Sequence, residues 1–301
     1  MDVARDGYAW WYVDALSDDG AHGLTVIAFV GSVFSPYYAR SRARGAGDPR
    51  EHCAINVGLY GRPRRWTMTE RDARALRRDC ASLSVGASSI AWHRDSLVID
   101  IDERGTPVPH AVRGTIVVEA APNDVPALAL DGAGRHRWHP VAPCARVTVS
   151  LDSPRLRWEG PGYHDANTGD EPLEDGFASW HWSRARVGHE TLISYDVRER
   201  SGAVRSIALL CSPGHAPREI ELPPAVALPR SRWGIERAAR GDDARVVETL
   251  LDAPFYARSL VESRVGAHTA LAMHESLDLD RFRAPWVRMM LPFRMPRIAR
   301  R

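Results

Sequence analysis

The chain has 301 residues, of which 44% are hydrophobic and 26% charged, a composition typical of a folded protein with a sizeable core. All 40 basic residues are arginine, which excludes the chemistries that require a lysine amine: Schiff-base formation, pyridoxal-phosphate attachment and the phosphate-binding loop. The formal net charge of +2 gives no reason to expect a nucleic-acid partner.

Segments of alternating apolar and polar residues predict β-strands along most of the chain. In chain order they span residues 8–16, 24–34, 53–60, 89–92, 97–101, 113–119, 145–151, 178–183, 191–197, 204–210, 257–265 and 269–277. Glycine-containing turns such as 18–20 and 200–203 favour hairpin connections. One helix is predicted at 69–80, with Thr69 as its N-cap. Many short strands and little helix indicate an all-β protein of antiparallel barrels or sandwiches.

The proline- and glycine-rich region 121–143 is the best candidate for a domain boundary, so we expect two β domains, 1–140 and 141–301. The four cysteines have no Cys-x-x-Cys spacing, and the chain starts without an apolar leader. We therefore expect reduced thiols and a cytoplasmic location. No apolar run approaches the ~20 residues that a membrane-spanning helix requires.

The final segment, 280–301, interleaves arginines with large apolar residues. This mixture is typical of a membrane-surface contact, and it predicts peripheral association with the inner or photosynthetic membrane. A second interpretation is that residues 286–296 pack across a barrel mouth and leave a basic end exposed.

Common metal and cofactor motifs are absent or broken. His274 and Glu275 begin a zinc-protease pattern, but Asp278 stands where the second histidine is needed. Residues 165–170 begin like a calcium loop, but the sixth position is Asp170 and not glycine. The chain contains neither a dinucleotide-binding glycine turn after a strand nor a Gly-x-Ser-x-Gly elbow. We therefore expect chemistry that uses acid, base and aromatic side chains, with no metal and no cofactor.

Six segments form a recognisable set of motifs: residues 7–20 (GYAWWYVDALSDDG), 31–38 (GSVFSPYY), 162–167 (GYHDAN), 254–259 (PFYARS), 273–282 (MHESLDLDRF) and 291–296 (LPFRMP). Together they resemble the bacterial carotenoid 1,2-hydratases, also called hydroxyneurosporene synthases. The resemblance covers nearly the whole chain. It implies two lipocalin-like β domains in tandem and the cofactor-free addition of water to the C1–C2 double bond of acyclic carotenes such as neurosporene and lycopene.

Hydration of an unactivated trisubstituted alkene requires a strong acid that protonates C2, stabilisation of a tertiary cation at C1, and an ordered water. Asp165 and Asp196 are the candidate acids, because a carboxylic acid stays protonated near neutral pH only where an apolar site raises its pKa. Each could instead be an ordinary arginine-paired carboxylate. The sequence leaves open which of the two gives the proton.

Aromatic faces stabilise a developing cation, and the predicted strands supply Trp180, Trp182 and Tyr195 for this role. Trp180 and Trp182 share one strand face, and all three rings could equally fill a barrel core. His164 is the candidate base that takes the proton from the attacking water, provided its imidazole is neutral. Asn167 is expected to orient that water by hydrogen bonding.

Two further carboxylates are candidates for lining the carotene-binding cavity. Asp14 lies on the first predicted strand near Trp11, and Glu275 lies on a later strand between apolar neighbours. Asp14 could also be a second acid or the partner of a buried arginine.

Two other functions are compatible with the same residues. A terpenoid or polyketide cyclase or isomerase would protonate an alkene in the same way but would capture the cation with a different nucleophile. A pigment carrier would need the cavity but not the acid. The oligomeric state and the preferred carotene are not determined by the sequence.

Overall fold

Two compact units of antiparallel β-sheet are formed by the chain in the computed structural model, which describes residues 3–119 and 126–298. The first unit comprises the residues up to Ala129, Ala133–Pro172 and the segment from Met289 onward. The second comprises Leu130–Gly132 and Leu173–Arg288. Among the described helices, none is both long enough and apolar enough to cross a membrane.

The first unit is built around one large sheet. Its strands are β1 (Tyr8–Leu16), β2 (Gly23–Val30), β3 (Cys53–Tyr60), β4 (Arg65–Met68), β5 (Glu70–Arg71), β6 (Leu76–Arg78), β7 (Ser82–Val85), β8 (Ser88–His93), β9 (Ser96–Gly105), β10 (His110–Glu119), β11 (Leu128–Ala129), β12 (His136–Ser153) and β13 (Arg155–Gly169). The main path of the sheet runs β5-β3-β2-β1-β13-β12-β10-β9-β8-β7-β6. A short helix, α1 (Pro36–Ala43), follows β2 and is capped by the Ser35 hydroxyl.

The second unit contains a seven-stranded sheet in the order β17-β16-β15-β14-β22-β21-β20 and a separate β18–β19 pair. The strands are β14 (Phe177–Val187), β15 (Glu190–Glu199), β16 (Val204–Cys211), β17 (Arg218–Glu219), β18 (Ala225–Leu228), β19 (Arg237–Arg240), β20 (Asp242–Ala253), β21 (Tyr256–Val265) and β22 (His268–Asp278). Its helices are α2 (Leu173–Gly176), α3 (Leu279–Arg283) and α4 (Pro285–Met290).

The chain returns to the first unit at its end. Strand β23 (Arg297–Ile298) runs parallel to β5 and extends the first sheet. Arg297 forms an ion pair with the buried Glu70 carboxylate and lies 2.8 Å from His52 Nδ1. These contacts dock residues 289–298 against the first unit.

An apolar core fills one side of the first sheet. Strands β2 and β3 are buried along their whole length, and β-branched residues such as Ile55, Val57 and Ile99 pack there without solvent exposure. Branched side chains fit the pleated, buried surface of a sheet, which explains why these segments become strands. The all-β class and the antiparallel strands predicted from the sequence are confirmed.

Two local predictions differ from the structure. The predicted helix at 69–80 is replaced by β5, a single 3₁₀ turn at Ala73–Ala75 and β6, because Glu70 and Arg71 join the sheet and Asp72 caps only that turn. The compact units divide after Pro172 and not near residue 140. The reason is that β12 pairs with β10, and β13 pairs with both β12 and β1, so both strands belong to the first sheet.

Strand β13 was not predicted, because its Gly-Pro-Gly sequence at 160–162 reads as a turn. A Cβ atom on Gly160 would lie 1.8 Å from the Leu16 carbonyl oxygen, and one on Gly162 would lie 2.2 Å from Val147 Cγ2. The glycines therefore permit close approach between neighbouring strands and do not break the strand.

We expect Ile99→Ala to destabilise the protein by about 2–5 kcal/mol, because the truncation leaves a cavity in the packed core of the first unit. Urea unfolding measures the change. Val204→Ala, which alters an exposed strand residue, should stay within about 0.5 kcal/mol of the unaltered protein. Equal effects from the two variants would contradict this assignment of the core.

Candidate active site

A buried carboxyl group lies at the centre of the candidate site. Asp165 on β13 is 3% exposed, and its strand is hydrogen-bonded to β1 on one side and to β12 on the other. Tyr163, Asp165 and Asn167 project from one face of β13, because alternate residues of a strand share a face. Trp138 of β12 lies opposite Asn167 on that same face.

Three side chains donate hydrogen bonds to Asp165. Trp138 Nε1 and the Tyr163 hydroxyl both donate to Oδ2, at 2.9 and 2.8 Å. Asn167 Nδ2 lies 3.3 Å from Oδ1. We call Trp138, Tyr163, Asp165 and Asn167 the acid cluster. Its geometry orients the carboxyl group and directs both the Trp138 and Tyr163 donors to Oδ2.

Aromatic side chains of β1 surround the acid cluster on the same face. Tyr12 lies directly across from Asp165, and its ring meets that of Tyr163 edge-on at 6.2 Å. Trp10 lies across from Asn167 and stacks on Tyr8 at 4.9 Å. A face rich in aromatic rings is apolar yet attracts a positive charge, which suits a carbocation formed beside an acid.

A series of hydrogen bonds through His136 also borders this aromatic face. His136 Nε2 donates to Glu171 Oε1 at 3.2 Å, and His136 Nδ1 accepts from the Tyr8 hydroxyl at 2.9 Å. The imidazole is fully buried. Asp14, also fully buried, lies opposite Tyr163 on the same face, so this predicted candidate is near the acid cluster.

His164 projects from the opposite face of β13, where burial lowers the pKa of its imidazole to about 4. The imidazole is therefore neutral near pH 7. Its Nδ1 donates to the Tyr12 carbonyl oxygen at 2.9 Å, which places the unshared electron pair on Nε2. The neutral form that the proposed base requires is thus present, but on the face that Asp165 does not share.

A cavity of about 290 Å³ adjoins His164 in the first unit. Trp11, Trp92, His139 and Asn167 contribute to its lining. Asn167 is the one member of the acid cluster that also reaches this cavity. The cavity is near the lower limit for a small-molecule site, so its size suits part of a long chain and not a whole carotene.

The predicted aromatic residues of the second unit lie together on one face of its sheet. Trp182 lies between Tyr195 and Glu275 on the neighbouring strands, and the rings of Trp180 and Tyr195 meet at 5.8 Å. The Glu275 carboxylate accepts from Arg258 Nε and Nη2 at 2.9 and 2.7 Å. Glu275 is therefore the partner of a buried arginine, a pairing that the sequence analysis did not anticipate.

Asp196 lies on the opposite face of the same sheet from Trp182 and Tyr195. Arg240 Nε donates to Asp196 Oδ2 at 3.0 Å, and the Ser206 hydroxyl donates to Oδ1 at 2.5 Å. The structure does not bring Asp196 together with the aromatic rings of its own unit. It has the contacts of an arginine-paired structural carboxylate.

Sequence comparison shows which known proteins this chain resembles. Residues 26–301 match the family model described as the carotenoid hydratase CrtC. The acyclic carotenoid 1,2-hydratase of Thiocapsa roseopersicina is 53% identical over 98% of this chain and 74% of its own length. The Rubrivivax gelatinosus protein of the same name is 47% identical over 99% of this chain and 75% of its own length. The chain belongs to the carotenoid hydratase family.

The fold is shared with more distant proteins. A crystal structure from Nitrosomonas europaea, described as AttH, aligns with a TM-score of 0.63 at 14% identity, covering 91% of this chain and 92% of that one. At this identity the likeness shows the fold alone. Family membership confirms the resemblance on which the sequence interpretation was based.

Trp138, Tyr163 and His136 were not among the residues predicted for the site. The sequence did hold a signal for one of them: in 163–167, a tyrosine, an aspartate and an asparagine alternate, and in a strand these would share a face. The strand was missed because the adjacent Gly-Pro-Gly sequence is typical of a turn. Trp138 lies 27 residues before Asp165, so only strand pairing brings them together.

We expect stability to fall as the pH is lowered from about 6.5 towards 4, because burial lowers the pKa of His164 to about 4 and that of His274 to about 3. A histidine in the unfolded chain titrates near pH 6.5. Below that pH the unfolded chain therefore binds protons that the buried native imidazoles do not, and this proton binding favours unfolding. For His164 the loss reaches about 3 kcal/mol at pH 4.

Urea unfolding at several pH values measures this effect. His164→Asn keeps a donor for the Tyr12 carbonyl oxygen and should flatten the dependence between pH 6.5 and 4. His215→Asn replaces an exposed histidine and serves as the matched control. An unchanged slope in His164→Asn would show that this imidazole is not the source.

Proposed function

We propose that this protein adds water to the C1–C2 double bond of an acyclic carotene, with Asp165 as the proton donor. The observation that supports the assignment is a buried carboxyl group, held by three donors, on a face formed by aromatic rings. The relatives named acyclic carotenoid 1,2-hydratase supply the substrate class. The reaction makes the protein a hydro-lyase.

Proton transfer begins at the Asp165 carboxyl group. Since Oδ2 accepts from Trp138 and Tyr163, we place the acidic proton on Oδ1. The alkene π electrons take this proton at C2, which leaves a tertiary cation at C1 and a carboxylate on Asp165. The Trp138 and Tyr163 donors stabilise that carboxylate as its charge develops, which lowers the barrier.

Water then attacks C1 and must lose one proton. In our proposal the Asp165 carboxylate accepts it, because this group is on the substrate's face of the sheet and needs a proton to begin the next cycle. His164 remains a candidate base only for a water in the cavity on the other face. The net reaction consumes one water and transfers no electrons, so neither a redox cofactor nor a metal is required for balance.

The aromatic rings of β1 have a distinct task in this proposal. Tyr12 and Trp10 lie beside the acid cluster, so their faces are positioned to stabilise positive charge at C1 by about 2 kcal/mol or more in a water-free site. Trp180, Trp182 and Tyr195 lie in the second unit, and the role in cation stabilisation that the sequence suggested for them stays a prediction.

The substrate also implies a location. An acyclic carotene dissolves in the hydrocarbon region of a bilayer, so the protein must reach it at a membrane surface. We propose peripheral association on the cytoplasmic side, with water as the second substrate.

The decisive measurement is incubation of the purified protein with lycopene in H₂¹⁸O without added cofactor, followed by mass spectrometry. We expect a labelled hydroxyl group at C1. A cyclised or isomerised product without label would assign the protein to the cyclase alternative, and carotene that is bound but unchanged would assign it to the carrier alternative.

Asp165→Asn should lower the rate of hydration by about 10²- to 10⁴-fold, because the amide has no acidic proton to give. Asp100→Asn, which alters an exposed aspartate bonded to Thr115, is the matched control and should hydrate normally. If Asp196→Asn abolished hydration while Asp165→Asn did not, the acid would be Asp196.

Tyr163→Phe should slow hydration by about tenfold and leave the fold intact, because one hydrogen bond to the developing carboxylate is lost. Steady-state rates measure the change, and thermal unfolding checks the fold. Tyr38→Phe removes another buried hydroxyl, which donates to the Gly7 carbonyl oxygen, and should leave the rate unchanged in folded protein. A rate equal to that of the unaltered protein in Tyr163→Phe would remove Tyr163 from the mechanism.

A further inference from the structure

Three segments of the first unit meet at one place on its surface. They are residues 61–66, which link β3 to β4 and include the start of β4; residues 104–110, which span the turn from the end of β9 to the start of β10; and residues 289–298. The Arg294 guanidinium lies 4.6 Å from the ring centroid of Trp66, and the Thr106 hydroxyl donates to the Arg294 carbonyl oxygen at 3.0 Å. His110 Nε2 lies 3.1 Å from the Trp66 carbonyl oxygen. We call this the three-segment surface.

Large apolar side chains point into solvent there. Val108 and Phe293 are each 73% exposed, Met289 is 70% exposed and Ile298 is 57% exposed. Within the described part of the first unit, every large apolar side chain with such exposure belongs to residues 104–110 or 289–298. Such a concentration, on a unit whose other large apolar side chains are covered, marks an interaction surface.

The charged residues of the three segments are all arginines, so their formal charge is positive. The segments contain no aspartate and no glutamate, and their arginines are Arg62, Arg64, Arg65, Arg104, Arg294 and Arg297. Arg297 pairs with Glu70, and the Arg294 guanidinium lies over the Trp66 ring. Exposed apolar side chains among arginines complement an anionic bilayer. The apolar side chains enter the boundary between headgroups and acyl chains, and the arginines contact the lipid phosphates.

We propose that the three-segment surface docks the protein on anionic lipid bilayers. The inference rests on the proposed function, because a bilayer-dissolved substrate supplies the reason for docking. It extends that function by assigning the contact to Val108, Met289 and Phe293, with Arg62, Arg64 and Arg65 as the electrostatic partners. Residues 62–65 and 108 lie far from the C-terminal segment in sequence and join it only through folding.

Co-sedimentation of the full chain with carotene-free vesicles tests the proposal. We expect binding to vesicles of phosphatidylcholine mixed with phosphatidylglycerol, weaker binding to phosphatidylcholine alone, and a decrease as salt is raised. Equal binding to both kinds of vesicle, or no binding to either, would overturn it.

The apolar contribution is tested with the triple variant Val108→Ser/Met289→Ser/Phe293→Ser. Its partitioning onto vesicles should fall by at least about tenfold, because three apolar side chains that would insert into the bilayer are lost. Val204→Ser/Val247→Ser, in exposed strands of the second unit, is the matched control and should bind as the unaltered protein does. Circular dichroism verifies the fold of each variant. Equal loss in both, or in neither, would overturn the assignment of the surface.

The electrostatic contribution is tested with Arg62→Gln/Arg64→Gln/Arg65→Gln. Each arginine near an anionic surface strengthens partitioning about fivefold, so the three together should cost about a hundredfold. Arg155→Gln/Arg157→Gln removes two exposed arginines of β13 and is the control. If the apolar variant changed the oligomeric state, measured by light scattering, and left vesicle binding intact, the surface would join copies of this chain instead.

Failure of the docking proposal is distinguishable from failure of the proposed function. Vesicle binding is measured without carotene, and hydration is measured with detergent-dispersed lycopene. Docking variants should retain hydration in detergent. Loss of vesicle binding with hydration retained supports docking, whereas absence of hydration in the unaltered protein overturns only the proposed reaction.

Discussion

A strand that is hydrogen-bonded on both sides sends successive side chains to opposite faces of its sheet, and in β13 this constraint separates Asp165 from His164. Asp165 turns towards Trp138, Tyr163 and the aromatic residues of β1. His164, its neighbour in sequence, turns towards the cavity on the other face. The pairing of β13 with β1 and β12 fixes both directions, so a slip of one residue would exchange acid and imidazole.

The contacts of two aspartates show how a tertiary environment distinguishes side chains of identical chemistry. Asp165 is held by neutral donors among aromatic rings, whereas Asp196 is held by a guanidinium group on the face opposite the rings of its sheet. The acid that we propose, Asp165, is the carboxyl group that shares a sheet face with aromatic rings. Acid catalysis thus depends on the face from which a residue projects as much as on its identity.

Family and fold carry different information about this protein. A structure with 14% identity shares the fold, so very different sequences can form the same arrangement of strands. Membership of the carotenoid hydratase family rests instead on the family-model match over residues 26–301 and on relatives up to 53% identical, in agreement with the six motifs that resemble the family. The acid cluster uses one of those motifs, 162–167, together with Trp138 from a strand outside the six motifs.

The sequence by itself determined the all-β class and many strand positions, including β1 and β3 to the residue, because short apolar or alternating segments bounded by turn residues are local signals of strands. It also identified Asp165 as a candidate acid. Only the tertiary structure decided that β12 and β13 belong to the first unit, that Gly160 and Gly162 lie within a strand, and that Trp138 meets Asp165. These facts depend on pairing between segments distant in sequence, and local patterns carry no record of which strand lies beside which.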